Sequence, residues 1–187
     1  MGARIIILVI AACAGTYAAD SLAQQVSKKI EIIQSGRAEP GQVFVFGATE
    51  LNAWARVQAR EVVPEGLRQP KLELGNGTAT GSALVDFLKL RHASGIETNW
   101  LVAKLIEGEK PVRATARIES AKGRATVHLI RVEIGGLAVS GAPLDFLIQT
   151  FFLPLYPNAK IDEPFELADH VERIEVRPGE ARVYMKK

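Results

Sequence analysis

Apolar positions change their spacing several times along this chain. From residue 20 to 34, Leu22, Val26, Ile30 and Ile33 recur at the helical period while Lys28, Lys29 and Glu31 fall elsewhere, which predicts an amphipathic helix ending near Gly36. Residues 42–46 form a short β-prone run. Thr49 is placed to cap a second helix that opens Glu50-Leu51-Asn52 and stops before Pro64, with Leu51, Trp54, Ala55 and Val62 as its buried stripe.

From Leu67 the period becomes two. Residues 71–74, then Asn76-Gly77, then 78–87 spell a hairpin, because Asn-Gly supplies the positive φ angles of a type I′ turn. Ala79, Gly81, Ala83, Val85 and Phe87 share one face of its second strand, and side chains this small leave space for something to lie against the backbone. Residues 99–107 predict a short helix, with Trp100, Leu101, Lys104 and Leu105 at helical spacing and Gly108 ending it. Val112, Ala114, Ala116 and Ile118 then alternate with Arg113, Thr115, Arg117 and Glu119 and return through Ala121-Lys122-Gly123. The return strand switches apolar parity, from Ala125, Val127 and Leu129 to Ile130, Val132 and Ile134, so a bulge near Leu129-Ile130 restores one buried face.

Residues 143–153 are the least polar part of the chain beyond its N-terminus, with Asp145 their only charge, and Pro154-Leu155-Tyr156-Pro157 follows. Such a segment is hydrophobic nearly all round: as a helix it is a buried core element, touches lipid, or lines a cavity. Residues 171–177, Pro178-Gly179 and 181–185 predict a terminal hairpin with Arg and Glu on its wet face. No internal repeat is evident.

Residues 1–19 have the three-part layout of a secretory signal: Arg4, an apolar run from Ile5 to Ala14, then small residues to Ala18-Ala19. The run is too short for a helix to cross about 30 Å of hydrocarbon. Two outcomes fit it: cleavage after Ala18, or lipidation of Cys13, since Ile10-Ala11-Ala12-Cys13 resembles a bacterial lipobox. Either predicts export, to the periplasm or the outer face of the membrane, and a mature domain spanning 20–187. Cys13 is the single cysteine, so that domain has no disulfide, thiol nucleophile or thiolate-held zinc.

Composition narrows the function classes. The 187 residues are 48% hydrophobic and 24% charged, an ordinary single globular domain. Lys and Arg total 23 against 21 acidic residues, a net charge of +2 with the signs interspersed, which gives nucleic acid no basic surface to bind. Catalytic groups do not cluster. His92, His128 and His170 sit in separate segments with no metal-ligand spacing, which predicts no metal and no cofactor. Ser82, Ser94 and Ser140 lack a nucleophile elbow, and the nearby Asp86, His92 and Ser94 carry no triad signature beyond proximity. The expectation is a protein that is not an enzyme.

Phe46-Gly47-Ala48-Thr49-Glu50-Leu51-Asn52, then Val63-Pro64-Glu65-Gly66, then Lys71-Leu72-Glu73-Leu74 resembles the helix-then-long-hairpin opening of exported bacterial lipid-binding proteins. The LmeA-like phospholipid-binding proteins and the YpmS-like envelope proteins are the families concerned, and the resemblance covers mainly residues 42–90. It implies a tubular or half-pipe (TULIP-like) lipid-binding fold. The apolar block at 143–157 departs from their pattern.

The sequence therefore predicts an α+β domain: a long, curved antiparallel sheet of about five to seven strands, N-terminal helices, and an apolar helix packed on the concave face. The expected function is non-enzymatic binding or transfer of a lipid, in the first instance a phospholipid, in the bacterial cell envelope. The alternative is an envelope scaffold or assembly protein whose apolar segment docks a protein partner. Leu51, Trp54, Phe87, Trp100, Leu101, Leu105, Leu144, Leu147, Ile148, Phe151 and Phe152 are the expected lining. Arg91, Lys104 and Lys110 are the cations expected to meet an anionic headgroup.

Overall fold

The computed structural model describes residues 18–62, 66–87, 89, 108–154 and 156–187. Residues 1–17 of the signal-like segment, with Cys13, and the expected helix at 99–107 lie outside the described residues, while Ala18 and Ala19 open the first helix. Helix α1 (Ala18–Gln34) leads into strand β1 (Val43–Gly47) and helix α2 (Ala48–Val62). Val26, Ile30 and Ile33 of α1 and Leu51, Trp54 and Ala55 of α2 are buried, as their spacing predicts. Thr49 is not the cap. The helix begins two residues earlier than expected, at Ala48, so Glu50 stands in the third helical position, where its carboxylate reaches back to accept the Gly47 N–H at 3.0 Å. The same carboxylate accepts Lys29 Nζ of α1 at 2.7 Å, tying the two helices.

Among the described residues the strands form two sheets, making the fold α+β. The larger is antiparallel, with β2 (Leu67–Leu74), β3 (Thr78–Asp86), β4 (Glu109–Ala121), β5 (Arg124–Ile134) and β6 (Leu137–Val139) side by side, and β7 (Phe165–Glu166) pairs with part of β5. The expected terminal hairpin, β8 (Val171–Arg177) and β9 (Glu180–Met185), does not extend it. Instead β9 pairs with β1, giving a second sheet in the order β1-β9-β8.

Two bulges give the long sheet a single apolar face. Thr115 of β4 faces Arg131 while Ala116 faces Leu129, so Ile130 is the extra residue on β5, at the place its parity switch predicts, and it is 49% exposed. On β2, Arg68 faces Leu84 and Lys71 faces Ser82, again with one residue too many, and Gln69 takes φ 43. Bulges of this kind bend a strand and increase its twist.

The β2–β3 turn differs from expectation. A type I′ turn needs positive φ at both central residues, but only Gly77 has it, at 64, and Asn76 does not. The turn is docked rather than free: the Gly77 N–H donates to Val176 O of β8 and its carbonyl accepts the Ile118 N–H of β4, both at 2.9 Å. The paired positive angles occur instead at Lys122 and Gly123, between β4 and β5.

Two hydrophobic clusters result. One joins α1, α2 and the three-stranded sheet, and includes Phe44, Phe46, Leu51, Trp54, Val183 and Met185. The other, containing Val85, Phe87, Val132, Ile134, Val139, Leu147 and Phe151, lies between the far part of the long sheet and the apolar segment after β6. Asn52 of α2 closes the outer edge of β2, accepting the Leu72 N–H at 2.8 Å and donating to its carbonyl at 2.9 Å. Among the described residues no helix is long and apolar enough to cross a membrane.

Candidate lipid-binding cavity

The apolar segment folds in two pieces. Helix α3 (Ala142–Leu147) starts after Gly141 with Pro143 in its first turn, where a missing N–H costs nothing. A π-helical turn, Ile148–Phe152, continues it, and the Leu153 N–H donates five residues back to Ile148 O at 2.9 Å. Such widened turns are rare and often occur at functional sites. Leu144, Leu147, Ile148, Phe151 and Phe152 fall on the side that faces the sheet, whereas Asp145 and Gln149 are exposed.

Beneath them the sheet is paved with small side chains. Ala79, Gly81 and Val85 of β3 and Val112, Ala114, Ala116 and Ile118 of β4 share the face, with Gly81 opposite Ala114 in register. Val127 and Leu129 join from before the β5 bulge, Val132 and Ile134 from after it. The two layers meet where Phe87 packs against Phe151, but they do not close over Gly81. Between them lies a cavity of about 340 Å³, within the range of roughly 300–1,000 Å³ of ligand pockets. Gly81 marks its floor: where a Cβ would stand, no atom lies within 4 Å.

The remaining boundary comes from two places. Leu72, Ile174, Val176 and Ala181 close the end where the second sheet packs. The chain after the π turn supplies Tyr156, Ala159, Lys160 and Ile161. That stretch is fastened to β5: the Asp162 N–H donates to Val127 O at 2.9 Å, and His128 Nδ1 lies 3.1 Å from Asp162 Oδ1. His128 Nε2 is 3.8 Å from Glu119 Oε2, so this histidine works on the outer face of the strand and away from the cavity. Phe87 meets Phe151 edge-on at 5.3 Å between ring centroids, and Phe152 tilts against Tyr156 at 5.1 Å. Burial pushes the Tyr156 phenol above its ordinary range, so its hydroxyl stays a neutral donor at physiological pH.

The structure brings together six of the expected lining residues, Phe87, Leu144, Leu147, Ile148, Phe151 and Phe152. Leu51 and Trp54 are not with them. They are buried in the other cluster, because the apolar stripe of α2 packs against α1 and the three-stranded sheet. Trp100, Leu101, Leu105, Arg91 and Lys104 lie outside the described residues. Lys110 is opposite Val85 in register, at the end of the β4 row that carries Val112, and its stem approaches the β5–β6 turn beside Gly135. It is not among the lining residues of the cavity.

Lys160 was missed. Its signal is the rarity of charge around it: between Pro143 and Ile161 the sequence holds Asp145 and Lys160 and no other charged residue. The floor was legible as a row of small residues on β3, although its individual members on β4 and β5 were not named as site residues.

No family model, curated protein or solved structure matches this chain. The case for the site is therefore its own chemistry. Among the described residues Tyr156 and Lys160 are the only titratable side chains lining the cavity, and no group of three His, Cys, Asp or Glu residues is placed to hold a metal. A space so lined can receive hydrocarbon by burying apolar surface, and can make a polar contact at the Tyr156–Lys160 turn.

Proposed function

We propose that the cavity holds the hydrocarbon part of a lipid, and that the protein binds or transfers that lipid without chemical change in the bacterial cell envelope. One observation carries this reading: the apolar segment and the sheet stand apart over Gly81, where ordinary core packing would have closed the space. Protein interiors pack as densely as organic crystals. Small residues on β3 and β4 with a tall, apolar cover are an arrangement that keeps a gap open. The secretory layout of residues 1–19 and the resemblance carried by residues 42–90 support the envelope as the place of action.

Native mass spectrometry of the purified protein, followed by organic extraction, tests the reading. The expected result is a mass increment that leaves with the organic phase and is identified as a lipid. A protein that remains empty after exposure to envelope lipid extract, and that forms a stoichiometric complex with an envelope protein instead, overturns it in favour of the scaffold alternative.

A further inference from the structure

Resting on that reading, we propose that the occupant is a long-chain fatty acid: one tail laid over Gly81, with its carboxylate held by Lys160 beside Tyr156. Three observations converge on a single-chain anion.

The first is size. At about 340 Å³ the cavity is near the lower bound of ligand pockets, a size that suits a single tail. Its floor runs along β4 from Val112 to Ile118, roughly 20 Å at about 3.4 Å per residue, which matches an extended long-chain tail.

The second is charge. Lys160 is the one charged side chain among the described residues of the lining, it is exposed at the boundary, and no carboxylate there pairs with it. The nearest acid in sequence, Asp162, is engaged by His128. An ammonium beside an apolar cavity offers a charge-assisted hydrogen bond to an anionic head while its stem lies along hydrocarbon.

The third is the number of donors. Tyr156 opens a turn closed by the Ala159 N–H donating to Tyr156 O at 2.9 Å, and Lys160 follows it directly. Lysine supplies a point charge and the neutral phenol supplies one hydroxyl, a set that suits the two oxygens of a carboxylate. A phosphate is typically met by guanidinium forks or several donors, and no arginine lines the described part of the cavity. Because the Asp162 N–H fastens this turn to Val127, the head is fixed at the Ile118–Val127 end of the sheet and the tail points toward Phe87 and Ile134.

The test uses the full chain, with the neutral fluorophore N-phenyl-1-naphthylamine as reporter and three competitors: palmitate, hexadecanol and a diacyl phosphatidylglycerol. Palmitate is expected to displace the reporter about tenfold more tightly than hexadecanol, an increment of the size one charge-assisted contact gives, and the diacyl lipid least well. Lys160→Met should erase the preference for palmitate over hexadecanol, and Lys160→Arg should retain it. An unaltered preference in Lys160→Met, or tighter displacement by the diacyl lipid, overturns the fatty-acid assignment alone. If neither the reporter nor hexadecanol binds, the cavity reading itself fails.

Discussion

The two hydrophobic clusters are built from similar residues and come out differently. Around α1, α2 and the three-stranded sheet, large side chains from both sides meet: Phe44, Phe46, Trp54 and Met185 are all buried. Under α3 and the π turn, large side chains from both sides meet at the margin, as Phe87 and Phe151 do, but not at the centre. The cover contributes Leu147, Phe151 and Phe152, whereas the centre of the sheet answers with Gly81, Ala114 and Ala116. A core is filled when the volumes of facing layers complement each other. The lesson is that a cavity is encoded less by which residues are apolar than by the size of the residues opposite them.

This contrast gives a graded set of expectations. The largest effect belongs to the filled cluster. Trp54→Ala should cost about 3–5 kcal/mol of unfolding free energy in a denaturant titration, since it leaves a hole among residues that cannot follow it inward. The corresponding truncation over the cavity, Ile148→Ala, should cost roughly 1 kcal/mol, because a half-buried side chain facing free space forfeits few contacts. Equal costs at the two sites would mean that the second cluster is as solid as the first.

At the seam between the regions, Asn52→Ala strips both backbone groups of Leu72 of their side-chain partners. A loss of about 1–3 kcal/mol is expected, with faster amide exchange at Leu72 and undiminished binding of N-phenyl-1-naphthylamine. Protection at Leu72 that is unchanged would show that something else seals this edge.

The smallest effect is electrostatic and lies in the three-stranded sheet. Hydrogen bonds from Arg177 and then from Tyr184 lower the Glu175 carboxyl below its ordinary value of 4.5. A carboxyl depressed by folding stabilises the native state above its unfolded value and loses that contribution as the pH falls through the native one. Melting temperature should therefore be insensitive to this group at neutral pH and decline in acid, with a shallower decline in Glu175→Gln. Identical acid profiles for the two proteins would remove Glu175 from the account.

Much of this was readable in advance, for identifiable reasons. The strands were visible because period-two alternation is a local property, and the bulge at Ile130 was visible because a parity switch within one apolar strand has few other solutions. The row Ala79, Gly81, Ala83 announced free space. What stayed hidden depends on distant partners. The stripe of α2 says that Leu51 and Trp54 are buried but not against what, so they were expected at the cavity and belong to the other cluster. Asn76-Gly77 favours one turn in isolation, yet hydrogen bonds to β8 and β4 select another. Lys160 drew no notice because a lone lysine in a loop acquires meaning only once Val127 holds that loop over the sheet.

The most direct measurement is a titration of wild-type protein and Gly81→Leu with N-phenyl-1-naphthylamine. The backbone at Gly81 is not in the left-handed region and a Cβ there meets no neighbour, so the leucine folds into the empty space with little change in melting temperature. A filled floor should weaken the fluorophore by at least about tenfold. Undiminished binding by a folded Gly81→Leu protein would place the apolar ligand elsewhere and contradict the account.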